Sequence, residues 1–294
     1  MAVGRSRQPF PTTSPQHGMT RGTPPPVVAF GATGIGIWLR GALGPGGVVL
    51  DVGASIGGYT AVAADLVAPS GHVYAFEPGP DNLTALRQRF DGNGCVTVIA
   101  GAVSDRAGQE TFHLDRTDPR RHSLASGNVG RAGEIVTVSV VALDDYLGLV
   151  ARLDLVKIDA QGAELHILRG ARRLLRRFRP PVILELWPFG LRQLGGEPSA
   201  VLEELRDLGY ETYRLSAKGR LKSQRHIDGF LATATRWSCI NVIGLPAPRP
   251  AGPGRSWARW ISAPAARARA RLRRAADTRP RSGTSRPDCS SRPW

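Results

Sequence analysis

Cysteine, lysine and long apolar runs are all scarce in this chain. The three cysteines, Cys95, Cys239 and Cys289, are odd in number and far apart. They form neither a disulfide framework nor a zinc-binding spacing, and point to a reducing, cytoplasmic compartment. No apolar stretch reaches 18 residues, so no membrane-spanning helix is expected. The N-terminus carries Arg5, Arg7 and Arg21 but no apolar core of a signal peptide. Only Lys157, Lys218 and Lys222 stand among 39 basic residues. That bias towards Arg, with abundant Ala, Gly and Pro, is what a GC-rich coding sequence produces.

The net charge of +15 belongs to the ends. Residues 245–294 hold twelve Arg against two Asp, and residues 1–28 hold three Arg and no acid, leaving +2 for residues 29–244. A nucleic-acid enzyme would carry its basic face on the body, so nucleic acid is not the expected partner. Residues 1–27 are rich in Pro, Thr, Ser and Gly and read as a disordered segment. Residues 247–294 read as an Arg/Pro-rich basic tail, largely disordered. Within it, Trp257, Trp260 and Ile261 beside arginines offer weak contact with an anionic membrane surface.

Between these ends, residues 28–246 read as one folded domain. A helix is expected over 28–43, with Trp38 and Leu39 facing the core. Strands follow at 48–52, 72–77, 96–100, 110–114, 134–141, 153–160, 182–187, 210–215 and 237–245. Helices are expected at 57–67, 80–90, 143–147, 162–176 and 198–208. The polar, Gly/Ser-rich stretch 115–133 reads as a long loop and a candidate lid. Alternating strands and helices imply an α/β fold with a doubly wound, mostly parallel sheet.

Residues 47–60, GVVLDVGASIGGYT, are the most informative stretch. A buried strand runs into Asp51, and a D-x-G-x-x-x-G turn opens the next helix. Glu77 follows Gly57 by twenty residues at the end of a second strand, where an acid can hold a ribose diol. A dinucleotide turn would place Gly where this chain has Asp51, because an acid is unwelcome beside a pyrophosphate. A cationic nucleoside such as S-adenosylmethionine suits Asp51 better than NAD does.

A second motif, DLVKIDAQGAELHILRGA, covers residues 154–171. Lys157 and Asp159 share one face of a strand. Asp159 falls at the carboxyl end of that strand, where open α/β sheets bind ligands. Glu164 sits in the first helical turn, where it serves either the helix dipole or the chemistry. Glu185 ends the apolar strand VILEL and opens onto the same crevice. His113 and His122 are further candidate bases, and no spacing commits to a metal.

The segments VVLDVGASIGGYT, VYAFEPGPDN, DLVKIDAQGAELHILRGA and VILELWP, with the HSLASG loop and VVALDDYL, closely resemble the FkbM family of methyltransferases over roughly residues 40–245. The resemblance implies a class I methyltransferase (Rossmann-like) fold with a final antiparallel strand, S-adenosylmethionine as methyl donor, and methylation of a hydroxyl on a sugar, glycan or polyketide-like natural product. By that resemblance Asp51, Gly53, Ala54, Ser55 and Gly57 line the methionine end of the donor. Glu77 holds the ribose and Asp159 lies near the reacting methyl. Two positions depart from the family pattern: Ser55 stands where Asn is usual, and Gln161 where Glu is usual. Gln keeps the shape and loses the charge, so where the family's acid acts as base or metal ligand that role passes to Asp159 or Glu164.

Three other readings stand beside this one. A nucleic-acid methyltransferase recruited by the tail would lack the usual Asn/Asp-Pro-Pro-aromatic grip; the only approach is Glu185-Leu186-Trp187-Pro188. A non-catalytic donor-binding protein is motivated by Gln161, and an NAD-dependent oxidoreductase is disfavoured by Asp51. Acceptor specificity is expected in the loops 26–46, 115–133 and 188–200.

Overall fold

The computed structural model describes residues 30–115, 117–129 and 132–247. The expected disordered segment 1–27, and the basic tail beyond Ala247 with its tryptophans, lie outside the described residues.

Strand β1 (Val48–Val52) is the middle one of five parallel strands in an eight-stranded sheet. It runs parallel to β2 (His72–Glu77) on one side and to β7 (Leu155–Ile158) on the other. β3 (Val96–Ala100) and β8 (Val182–Leu186) extend the parallel set outwards. Strands covered by helices on both faces must be apolar on both faces, which explains the Val/Ile/Leu runs. In β1 and β7 one charged residue each breaks the run, Asp51 and Lys157, and the strand register places them side by side.

Past β8, the antiparallel β11 (Ile240–Pro246) is inserted between β8 and β9 (Tyr210–Leu215), so the last strand completes the sheet from within. A two-residue strand, β10 (Leu221–Lys222), closes that edge. On one face pack α1 (Gly34–Ala42) and α2 (Gly58–Val67), burying Trp38, Leu39, Val62 and Val67. Truncating a side chain as large as Trp38 would cost about 3–5 kcal/mol. Thr33 caps α1 by accepting a hydrogen bond from Gly36 N at 3.1 Å, so the regular helix starts later than its apolar composition suggests.

The helix expected over 162–176 is two helices, α4 (Glu164–Arg169) and α5 (Arg172–Phe178). The chain breaks at Gly170, where a Cβ would lie 2.1 Å from the Ser104 carbonyl oxygen. Asp144, remote in sequence, then caps the second helix. Its carboxylate accepts from Leu174 N at 2.8 Å and Arg173 N at 3.1 Å. Leu165, Leu168 and Leu175 nevertheless all reach the core.

The segments expected as strands at 110–114 and 134–141 are longer, β5 (Gly108–Asp115) and β6 (Ala132–Val141). With β4 (Ala102–Val103) they form a separate three-stranded sheet rather than joining the main one. Helix α3 (Pro80–Arg89) follows β2 and α7 (Pro198–Asp207) precedes β9, both as expected. Two short helices, α6 (Pro188–Gln193) and α8 (Arg225–Leu231), gave no periodic signal. None of the helices is long and apolar enough to cross a membrane, among the described residues.

Candidate active site

The parallel strands end on one side of the sheet in a cavity of about 700 Å³, large enough for a nucleoside and part of a second molecule. At the exit of β1 the backbone builds its wall. Gly53 has φ +72°, and a Cβ there would fall 1.9 Å from the Asp159 carbonyl oxygen. Gly is therefore required for the β1 and β7 exits to approach each other. Gly53 and Ala54 both donate their N–H to Phe76 O at 3.0 Å. Ser55 has φ +51°, a left-handed conformation that Asn adopts more readily than Ser.

Glu77 holds this turn in place. Its Oε2 accepts from Ser55 N at 2.8 Å, and its Oε1 accepts from Gly79 N at 2.8 Å and Asn82 Nδ2 at 3.4 Å. Burial pushes its carboxyl up to about 7, against the opposing pull of those hydrogen bonds. A carboxylate offers about four lone-pair sites, so acceptor capacity remains towards the cavity that Glu77 lines. The arrangement fits a ribose diol.

Asp51 and Gly57 do not line the cavity. Asp51 is buried beneath its floor, accepting from Thr60 Oγ1 at 2.7 Å and from Lys157 Nζ at 3.1 Å. Gly57 has φ +81° and starts α2. Lys157 is itself buried and lies 3.7 Å from Asp159 Oδ2, with its ammonium 5.3 Å from the Tyr59 ring centroid. Burial alone would lower its pKa, but Asp51, Asp159 and Tyr59 together hold it above the ordinary lysine range.

At the exits of β7 and β8 the wall is made of side chains. Gln161, with φ +50°, donates from Nε2 to Asp159 Oδ1 at 3.2 Å and to Glu185 Oε2 at 3.4 Å. The amide therefore bridges two carboxyl groups that line the same cavity. Glu185 is pushed up to about 8 by burial first, then by the charges of Asp159 and Glu164. Cys239, on the chain entering β11, adds a thiol hydrogen bond to Glu185, and its own thiol is pushed up to about 12 by burial and by that carboxyl.

Glu164 stands behind this wall rather than in it. Its Oε1 accepts from Ala160 N and Gly162 N, both at 3.2 Å, and fixes the turn that presents Gln161. Burial pushes its carboxyl up to about 7, and its Oε2 is buried without a hydrogen-bond partner.

The loop after β5 covers the cavity mouth, with Asp118–His122 and Leu124 among its lining. His122 Nδ1 accepts from Asp115 N at 2.9 Å, which places the neutral ring's proton on Nε2. That Nε2 is buried with no protein partner, while burial lowers the ring's pKa. The sequence offers His122 as a candidate base in the loop; the fixed tautomer and the unmatched donor depend on the fold. His113 instead pairs through its backbone with Ser123 and stays out of the cavity lining.

Residues 51–212 match the model of the methyltransferase FkbM domain. The chain is similar to the 31-O-demethyl-FK506 methyltransferase FkbM of Streptomyces tacrolimicus, 33% identical over 162 residues, covering 44% of this chain and 60% of that protein. It is similar to the hexuronic acid methyltransferase AglP of Haloferax volcanii, 26% identical over 132 residues, covering 44% and 52%. It is similar to the 2-O-methyltransferase NoeI of Sinorhizobium fredii, 27% identical over 152 residues, covering 46% and 61%. The matched region thus spans between half and three-fifths of each of these relatives.

Proposed function

The chain belongs to the FkbM methyltransferase family, and we propose that it moves a methyl group from S-adenosylmethionine to a hydroxyl of a sugar, glycan or polyketide-like natural product. The observation that carries this reading is the Asp159–Gln161–Glu185 cluster opening into the same cavity as the Glu77 cradle. Three relatives named for methylation of 31-O-demethyl-FK506, of a hexuronic acid and at a 2-O position support a hydroxylated small-molecule acceptor.

When bound, S-adenosylmethionine supplies a methyl group already activated by its sulfonium. The residues of this chain do the rest. Glu77 receives the ribose diol, and Gly53, Ala54 and Ser55 set the methionine end, with Asp51 acting from beneath through Lys157. Asp159, with Oδ2 3.7 Å from Lys157 Nζ, orients the acceptor. Glu185 takes the hydroxyl proton. Burial raises its pKa to about 8, which makes it a stronger base than an ordinary carboxylate, active as the pH rises through that value and its proton is lost. Glu164 is a positioning residue that holds the Gln161 turn. His122 Nε2–H donates to the bound ligand.

Cys95 and Cys239 are both free, which supports a reducing cytoplasmic location. The near-neutral body supports a small-molecule acceptor rather than nucleic acid.

Turnover of S-adenosylmethionine against a panel of sugar and macrolide hydroxyl acceptors tests the proposal. With an accepted substrate, kcat/KM should rise with pH through about 8, the pH at which Glu185 loses its proton. Glu185→Gln should lower kcat by about 10²–10⁴-fold and flatten that limb. An unchanged rate in Glu185→Gln would remove the residue from the chemistry.

A further inference from the structure

Beside the cavity two arginine guanidinium groups lie over one exposed tryptophan ring. The Arg121 guanidinium lies 5.0 Å from the Trp237 ring centroid and that of Arg236 lies 5.1 Å from it. Arg236 also lies 4.5 Å from the Phe189 ring. Its backbone is pinned where Trp187 Nε1 donates to the Arg236 carbonyl at 2.7 Å. Trp237 remains 62% exposed, although large aromatic side chains are normally covered. Arg121 lines the cavity, and so does Cys239, two residues after Trp237.

A guanidinium over an aromatic ring spends no N–H on that contact, so its fork stays available to carboxylate and phosphate oxygens. The local acids do not fill these forks. Asp118 is already held by two hydrogen bonds from Arg120, at 2.8 and 2.9 Å, and lies only within 3.8 Å of Arg121. Among the described residues no acid pairs with Arg236. Two guanidinium groups beside a reaction cavity, Arg121 with only a 3.8 Å ion pair to an already engaged Asp118 and Arg236 with no acid partner among the described residues, on a body of net charge near zero, form a local anion site rather than a general basic surface.

We propose that Arg121 and Arg236, seated over the Trp237 and Phe189 rings, clamp an oxyanion carried by the methyl acceptor, so that the acceptor is an acidic saccharide or similar hydroxylated acid. The inference rests on the hydroxyl-acceptor reading above and narrows it. A carboxylate or a phosphate ester on the sugar supplies the same chemistry. The clamp sets which hydroxyl faces Glu185, because a ligand anchored at one end by two forks has little freedom at the other.

The test uses the full-length protein saturated with S-adenosylhomocysteine and three probes titrated by NMR: methyl β-D-glucuronoside, glucose 6-phosphate and methyl β-D-glucoside. The anionic probes should bind at least about tenfold tighter than the neutral one, the range expected of charge-assisted hydrogen bonds. Which anionic probe binds better separates carboxylate from phosphate. The preference should vanish in the Arg121→Ala/Arg236→Ala double variant, and Arg236→Lys should not restore it, since an ammonium lacks the planar fork. Should the double variant fold poorly, added salt must erase the preference in the wild-type protein. Equal affinity for charged and neutral probes would overturn the proposal. So would a preference that survives the double substitution, or tighter binding of a single-stranded oligonucleotide through the same two arginines. Titration of S-adenosylhomocysteine alone is read separately. Its failure would break the methyl-transfer reading, while the anion preference stands or falls on its own arm.

Discussion

The cavity has two ends built from different materials. At the exit of β1 the wall is backbone: Gly53, Ala54 and Ser55 are held by main-chain N–H groups, and Glu77 accepts two of its three hydrogen bonds from the main chain. At the exits of β7 and β8 the wall is side chain: two carboxyl groups meet across one amide, and burial leaves Glu185 protonated at neutral pH. A backbone-built end is rigid and tolerates little variation, which suits a ligand of fixed shape such as the donor. A side-chain-built end can be retuned by one substitution, which suits acceptors that differ between relatives. Lys157 joins the two, pairing with Asp51 beneath one end and facing Asp159 at the other.

Cutting that join should have the largest effect. Lys157→Met leaves Asp51 buried and unpaired, and breaking a buried pair this way costs about 3–5 kcal/mol. Chemical denaturation should show a loss of that size together with loss of donor binding. A variant of wild-type stability would mean that the ends are independent.

Retuning the side-chain end comes next. Gln161→Glu replaces the bridging N–H donor with a third acid, so Glu185 should hold its proton more tightly. The ascending limb of the pH–rate profile should then move up by about one unit or more, with donor affinity unchanged. A limb that stays in place would show that the amide does not couple the two carboxyl groups.

The smallest effect concerns stability against pH. Glu164 has a folded pKa of about 7 against an ordinary 4.5, so the folded state binds its proton more tightly than the unfolded chain does. Its contribution is fully present below about pH 4.5 and is lost as pH rises through about 7. Thermal unfolding should therefore show stability falling between these values, and Glu164→Gln should flatten the fall. A variant with the wild-type pH dependence would exclude Glu164 as its source.

The backbone-built end was the more legible in sequence, because close approach demands Gly at a fixed distance from an acid, as in Gly53, Gly57 and Glu77. The strands showed themselves by apolar runs, and Asp159 and Glu185 by ending such runs. The sequence could not show that Asp51 serves Lys157 rather than the cavity, since that follows from the register between β1 and β7. The break at Gly170 depends on contact with Ser104, and the cap on α5 comes from Asp144, more than twenty residues upstream. Helical periodicity carries neither fact. The expected specificity loops included 115–133, which does cover the cavity, but missed Arg236, Trp237 and Cys239, because stacking between remote segments leaves no local pattern.

Calorimetry of the full-length protein with S-adenosylmethionine tests the account most directly, run on the wild type, Glu77→Ala and Glu185→Gln. The account predicts about micromolar binding by the wild type, its loss in Glu77→Ala, where Ser55 N and Gly79 N are left unpaired, and its retention in Glu185→Gln. No binding by the folded wild type, or loss in Glu185→Gln with retention in Glu77→Ala, would contradict the division of the cavity into a donor end and an acceptor end.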